Sequence, residues 1–289
     1  MKHSWFFWLV AVLVTVAALY YQRITGPTNP QRLHITLHTG TYRLSFPRSM
    51  PTEITPQQAL GNWVQLDKRS TLNIKVKGFN GVAPLSEETP LFLYYKRAHS
   101  QYNWQMAQVT ISAEGHIKAT LPSQPPAGKL VYYIDLAGVT IPQEAPIEVR
   151  FRNNVPAYVL IPHILFMYAV MVLSTYGGLL ALRNNHRWKR VTRLTLVALL
   201  IGGFILGPLV QKFAFGVYWS GWPLGEDLTD TKTLIAACFW VVALIFGSKK
   251  WGRILAIFAA IALLAIYSIP HSASGSHFNY ETGRVETKR

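Results

Sequence analysis

Residues 147–182 read IEVRFRNNVPAYVLIPHILFMYAVMVLSTYGGLLAL, and two periods meet within them. Ile147, Val149 and Phe151 alternate with Glu148, Arg150 and Arg152. Period two marks a strand with one buried and one wet face. From Pro156 to Leu182 the alternation stops, and the run holds no Asp, Glu, Lys or Arg. About 20 such residues span a bilayer as a helix, which satisfies its own backbone hydrogen bonds. The junction near Asn154 therefore separates a β part in water from a helical part in lipid.

Upstream, the alternation recurs. Leu33, Ile35 and Leu37 carry it, then Tyr42, Leu44 and Phe46, then Leu72, Ile74 and Val76, then Leu91, Leu93 and Tyr95. Residues 104–111, 117–121 and 130–136 are further short runs, separated by turn formers such as Pro47, Gly78, Gly115, Pro125 and Pro142. Strands at this spacing predict an antiparallel sandwich over residues 26–154. Leu93-Tyr94-Tyr95-Lys96 with Trp104, and Pro125-Pro126-Ala127-Gly128-Lys129-Leu130-Val131-Tyr132-Tyr133-Ile134, resemble immunoglobulin or fibronectin type III-like domains. Such domains bind, space or brace, so the fold alone does not indicate catalysis.

Downstream, apolar blocks continue over residues 194–215, 233–247 and 251–269. Another lies before the strands, from Trp5 to Tyr21. It reads as a cleaved signal peptide or as a retained anchor. Trp5, Phe6, Phe7, Trp8, Tyr20 and Tyr21 at its two ends form interfacial belts and favour the anchor. The expected fold class is thus a membrane α-helical bundle of about five transmembrane helices plus an all-β immunoglobulin/fibronectin III-like sandwich. Its parts are an anchor over 1–25, the sandwich over 26–154, four helices over 155–270, and a C-terminal tail over 271–289.

Half of the 289 residues are hydrophobic and 14% are charged. Soluble domains carry about a quarter charged residues, so the composition agrees with the split. The net charge of +15 is read as basic cytoplasmic loops rather than as a nucleic-acid surface. Arg183, Arg187, Lys189, Arg190 and Arg193 lie between the second and third blocks, and Lys249, Lys250 and Arg253 between the fourth and fifth. Keeping both inside places the sandwich, the loop 212–232 and the tail outside a bacterial cytoplasmic (inner) membrane. Cys238 is the one cysteine, which excludes internal disulfides and multi-thiolate metal clusters.

Candidate chemistry collects at the outer face. The loop 212–232 holds Trp219, Trp222, Glu226, Asp227 and Asp230, and Gly207-Pro208 before it is expected to break the third helix. Asp230 either caps the following helix or, with Glu226 and Asp227, faces a pocket. His163 lies in the second helix, and His271 and His277 follow the fifth. His163 and His271 are candidate ligands for haem b. These two with His277, Glu226, Asp227 and Asp230 are candidate ligands for a transition metal. Gly177, Gly178, Gly202 and Gly203 would give room for a haem, or serve close helix packing. Lys212 either snorkels outward or pairs with Asp227 or Asp230. His34 and His38 share one strand face and read as a wet sheet face or as a copper or zinc pair.

Val155 to His163, Gly207 to Gly216, Trp219 to Lys232 and Ile269-Pro270-His271-Ser272 resemble a group of bacterial integral membrane proteins with no assigned activity. That resemblance supplies no catalytic residues. Tyr218-Trp219-Ser220-Gly221-Trp222-Pro223 resembles Trp-rich loops of haem-handling membrane proteins, without their flanking histidines. P-loop, GxSxG, HExxH and Rossmann fingerprints are absent from the sequence. The leading expectation is a non-enzymatic accessory or scaffold protein whose outer domain docks membrane or periplasmic proteins. The alternative is a haem- or metal-handling protein, and a weaker one is a small-solute permease.

Overall fold

The structure, a computed structural model, describes residues 4–55, 68–98, 101–248, 251–270 and 276–286. The chain forms two compact units. A helical unit contains Met1–Pro27 and Asn154–Ser276, and a β unit contains Thr28–Asn153 and His277–Glu286.

The β unit is a curled sheet of ten strands among the described residues. They are β1 (Gln31–Leu37), β2 (Gly40–Phe46), β3 (Ser49–Pro51), β4 (Arg69–Gly78), β5 (Leu91–Arg97), β6 (Gln105–Ile111), β7 (Ile117–Pro122), β8 (Lys129–Leu136), β9 (Val139–Ile141) and β10 (Ile147–Arg152). The order is β1-β2-β4-β7-β6-β5-β8-β10-β3, with β9 on β8. Pairing is antiparallel except between β10 and β3. The first residues of β6 pair with β5 and its last four with β7. This hand-over lets the sheet fold onto itself, so Leu44, Leu72 and Ile117 share a core with Leu93, Tyr132 and Phe151. β4 shows the underlying pattern, with Ser70, Leu72, Ile74 and Val76 inside and Thr71, Asn73, Lys75 and Lys77 outside. Burying each large apolar side chain contributes about 1.5–3 kcal/mol.

Residues 277–286, part of the expected C-terminal tail, are a hairpin of this unit: β11 (His277–Asn279) with β12 (Arg284–Glu286). Phe278 is buried against Ile54, and its N–H donates to the Ala127 carbonyl at 3.2 Å. The Tyr280 hydroxyl donates to Gln124 Oε1 at 2.8 Å, and its ring lies 3.7 Å from the Arg97 guanidinium. Burial pushes the Tyr280 phenol up to about 12, against the pull of Arg97, and lowers Arg97 to about 10. Below pH 10 the phenol is neutral whether the chain is folded or not, so its contribution is fully present. Between pH 10 and 12 only the unfolded chain gives up the proton, and that contribution is lost. Tyr280→Phe should therefore lower the melting temperature below pH 10, with the deficit shrinking toward pH 12. A deficit constant across that window would contradict this account.

The helical unit contains α1 (Ser4–Thr25), α2 (Ala157–Leu182), α3 (Trp188–Leu199), a π-helical segment Leu200–Leu206, α4 (Gly207–Phe215), α5 (Leu228–Ile245) and α6 (Gly252–Ser268). Four helices are long and apolar enough to cross a membrane: Trp5–Thr25, Ala157–Leu182, Trp188–Phe215 and Leu228–Ile245. Gly252–Ser268 is apolar but shorter. Leu165, Ile205, Ile245, Phe258 and Ile261 point outward, a surface suited to lipid. α1 belongs to the bundle: Trp8 stacks on Tyr176 at 4.3 Å, and Ala11 is fully buried. The third helix starts at Trp188, earlier than its apolar run, because Lys189, Arg190 and Arg193 occupy the exposed side of its first turns. Lys249 and Lys250 lie outside the described residues.

Gly207-Pro208 widens the third helix rather than breaking it. Seven residues before α4 are π-helical, with the Gly207 N–H bonding the carbonyl of Gly202. Pro208 has no N–H to offer the turn behind it, and π segments accommodate such a defect without ending the helix.

Candidate functional site

The site lies where α4, the loop 216–227 and α5 meet. α4 ends at Gly216, whose φ of 84° is the left-handed conformation that glycine adopts without penalty. The loop then folds back over the π segment. The Trp219 ring stacks on Phe204 at 5.9 Å and 13°, and its Nε1 donates to the carbonyls of Gly221 (3.0 Å) and Trp222 (3.2 Å).

Asp230 is the hub. Its Oδ2 accepts from the N–H of Ser220 at 2.7 Å and of Gly221 at 3.2 Å, and lies 3.4 Å from the Ser220 hydroxyl. Gln211 on α4 donates from Nε2 to that hydroxyl. A Cβ at Gly221 would fall 2.5 Å from the Asp230 Cβ, so the loop can approach the helix only with glycine there. Asp227, not Asp230, is the N-cap of α5: its Oδ1 accepts from the Thr229 N–H at 2.8 Å. Its Oδ2 receives the N–H and the hydroxyl of Ser276, each at 3.4 Å. Glu226 is exposed.

Lys232 is buried and donates to the carbonyls of Ile269 (2.9 Å) and Pro270 (3.1 Å). Gln22 of α1 reaches the Tyr267 carbonyl at 2.9 Å. Together they satisfy carbonyls at the end of α6, where a cation is also favoured by the helix dipole. Lys212 pairs with neither aspartate. It is exposed and donates to the Gly216 carbonyl at 2.9 Å.

His163, beside Pro162 in α2, bonds through Nδ1 to the Gly202 carbonyl at 2.9 Å. His277 belongs to the β unit, in register with Glu286, while His163, Glu226, Asp227 and Asp230 belong to the helical unit. His271 lies outside the described residues. Among the described residues no three His, Cys, Asp or Glu side chains form a metal-binding group. Backbone N–H groups bond carboxylate oxygens of both Asp227 and Asp230. The glycines serve packing. A Cβ at Gly178 would meet Ala260 at 2.5 Å, at Gly202 Phe166 at 2.8 Å, and at Gly203 Thr233 at 2.6 Å.

No family model, curated protein or solved structure matches the chain.

Proposed function

We propose that this chain is a non-enzymatic accessory protein of the bacterial cytoplasmic membrane, whose outer β unit is a docking module for membrane or periplasmic partners. One observation carries the reading. The ionisable groups of the Trp-rich loop and its neighbours hold structure: Asp230 fixes the loop, Asp227 caps α5 and Lys232 closes α6.

Chain parity supports an even number of crossings between β10 and the hairpin. Three segments long enough to cross lie between β10 and the C-terminal hairpin. Three crossings would leave the hairpin across the bilayer from β10, yet both belong to one compact unit. Crossing by α6 makes four and returns the chain to the starting side. Its 17 residues reach about 25 Å, and a span slightly short of the ~30 Å hydrocarbon core is accommodated by local thinning. The packing of α1 supports a retained anchor, giving five crossings. The immunoglobulin/fibronectin III-like reading of the β unit is supported by the parallel β3–β10 pair and by β6 passing between the two halves of the sheet.

A second reading has an observation of its own. Histidines that bind metals usually donate one ring N–H to a carbonyl, as His163 Nδ1 can to Gly202, leaving Nε2 for the metal. An absorbance spectrum and metal analysis of the purified protein separate the two. The accessory reading expects a colourless protein without stoichiometric metal. A Soret band that disappears in His163→Ala would replace it with the haem reading.

A further inference from the structure

The outward side of β1, β2 and β4 carries a grid of basic side chains, Arg32, Arg43, Lys75 and Lys77, with the His34 imidazole beside them. His34 lies opposite Arg43, and Arg43 opposite Lys77, forming one row across three strands. Two residues along, Arg32 lies opposite Ser45, and Ser45 opposite Lys75, forming a second row. Strands sit about 4.8 Å apart and same-face neighbours about 7 Å apart, so the grid extends in two dimensions. It borders a cleft of about 520 Å3 lined by Arg32, Arg43, Ser45, Asn73, Lys75 and Lys77. His116 also borders it, accepting from the Val76 N–H at 3.3 Å and lying 3.7 Å from Glu114. Glu114 is the one carboxylate in an ion pair with this lining among the described residues. Arg43 lies over the Phe79 ring, 6.0 Å from its centroid. Like charges directly opposite one another destabilise a sheet, so folding alone does not favour this arrangement.

We propose that this face binds the anionic phosphate headgroups of the bilayer that the helices cross. Basic side chains spread over two rows and three strands match the many phosphates of a bilayer surface better than a single linear polyanion. The cleft is also covalently close to lipid, since seven positions of chain separate Thr25 of α1 from Arg32. That tether raises the effective concentration of headgroups at the face. Basic side chains near an anionic surface are attracted over a Debye length, and salt weakens the attraction.

The proposal rests on the β unit being the membrane-tethered docking module. The test uses the full chain reconstituted in vesicles of phosphatidylcholine alone or with 30% phosphatidylglycerol (about a third anionic, as a strongly charged surface). Acylation of Lys75 and Lys77 by a water-soluble amine reagent is followed by mass spectrometry, with Lys96 of β5, in the other half of the sheet, as reference. Anionic lipid should slow Lys75 and Lys77 several-fold relative to Lys96. High salt should restore their rates, the double variant Arg32→Ser/Arg43→Ser should lose most of the lipid effect, and Arg43→Lys should keep it. Equal rates in both lipids would overturn the proposal while leaving the docking reading intact. So would protection produced in neutral vesicles by added inorganic phosphate or DNA, which would assign the face to a soluble anion. Should Lys118→Cys and Thr282→Cys, each in a Cys238→Ser chain, react with a membrane-impermeant maleimide from opposite sides of the vesicle, the docking reading itself fails.

Discussion

Asp230→Ala should cost about 3–5 kcal/mol of stability and release the Trp-rich loop. The substitution strips the acceptor from the N–H groups of Ser220 and Gly221, and an unsatisfied buried N–H costs about 1–3 kcal/mol. It also frees the Ser220 hydroxyl and the Gln211 amide that follows it. With the anchor gone, Trp219 should leave Phe204. Thermal melting in detergent reads the first effect, and a red shift of tryptophan emission reads the second. Asp230→Asn keeps one acceptor oxygen and should fall between Ala and the parent. A melting temperature unchanged in Asp230→Ala would mean that the carboxylate does not organise the loop.

Gly178→Ala should destabilise the bundle by about 2–3 kcal/mol, because the added Cβ would lie 2.5 Å from the Ala260 Cβ on α6. Neither position can yield cheaply, since both are Cβ atoms fixed to helical backbones. Ala260→Gly in the same chain removes the clash and should recover most of the loss, although glycine itself costs about 1 kcal/mol in a helix. Failure of that rescue would show that α2 and α6 do not meet at this pair. The close approach shows Gly178 packed directly against α6.

Much of the fold is legible in the sequence because each unit obeys one period. Alternation at Leu72, Ile74 and Val76 is enough to give β4 its inner face, and unbroken apolarity from Pro156 to Leu182 is enough to give α2. Strand order is not legible, since period two states which face is buried but not which neighbour is paired. β3 and β9 have three residues each, too few for any period. The C-terminal hairpin is hidden for a different reason. Phe278 and Tyr280 are isolated in a polar stretch and gain meaning only from Ile54, Gln124 and Arg97, far away in the chain.

The candidate site was legible in its composition and not in its wiring. The loop 212–232 was singled out by its tryptophans and acids, but which aspartate caps α5 depends on where the helix starts, which Leu228 sets and no periodicity reveals. Lys232 carries no signal of its own in the sequence. Its role depends on α6 ending beside it, a tertiary fact. The cationic grid is invisible for the same reason, since Arg32, Arg43 and Lys77 meet only through the register of three strands.

Site-directed labelling tests most directly whether four crossings separate the β strands from the hairpin that completes their unit. Cys238 is replaced by Ser, and single cysteines are introduced by Lys118→Cys in β7, Thr282→Cys in the hairpin turn and Asn184→Cys between α2 and α3. In intact cells whose outer barrier is opened, a membrane-impermeant maleimide should modify positions 118 and 282 alike and reach 184 only after lysis. Modification of 282 from the side opposite to 118, or of 184 from the same side as 118, would contradict the architecture argued above.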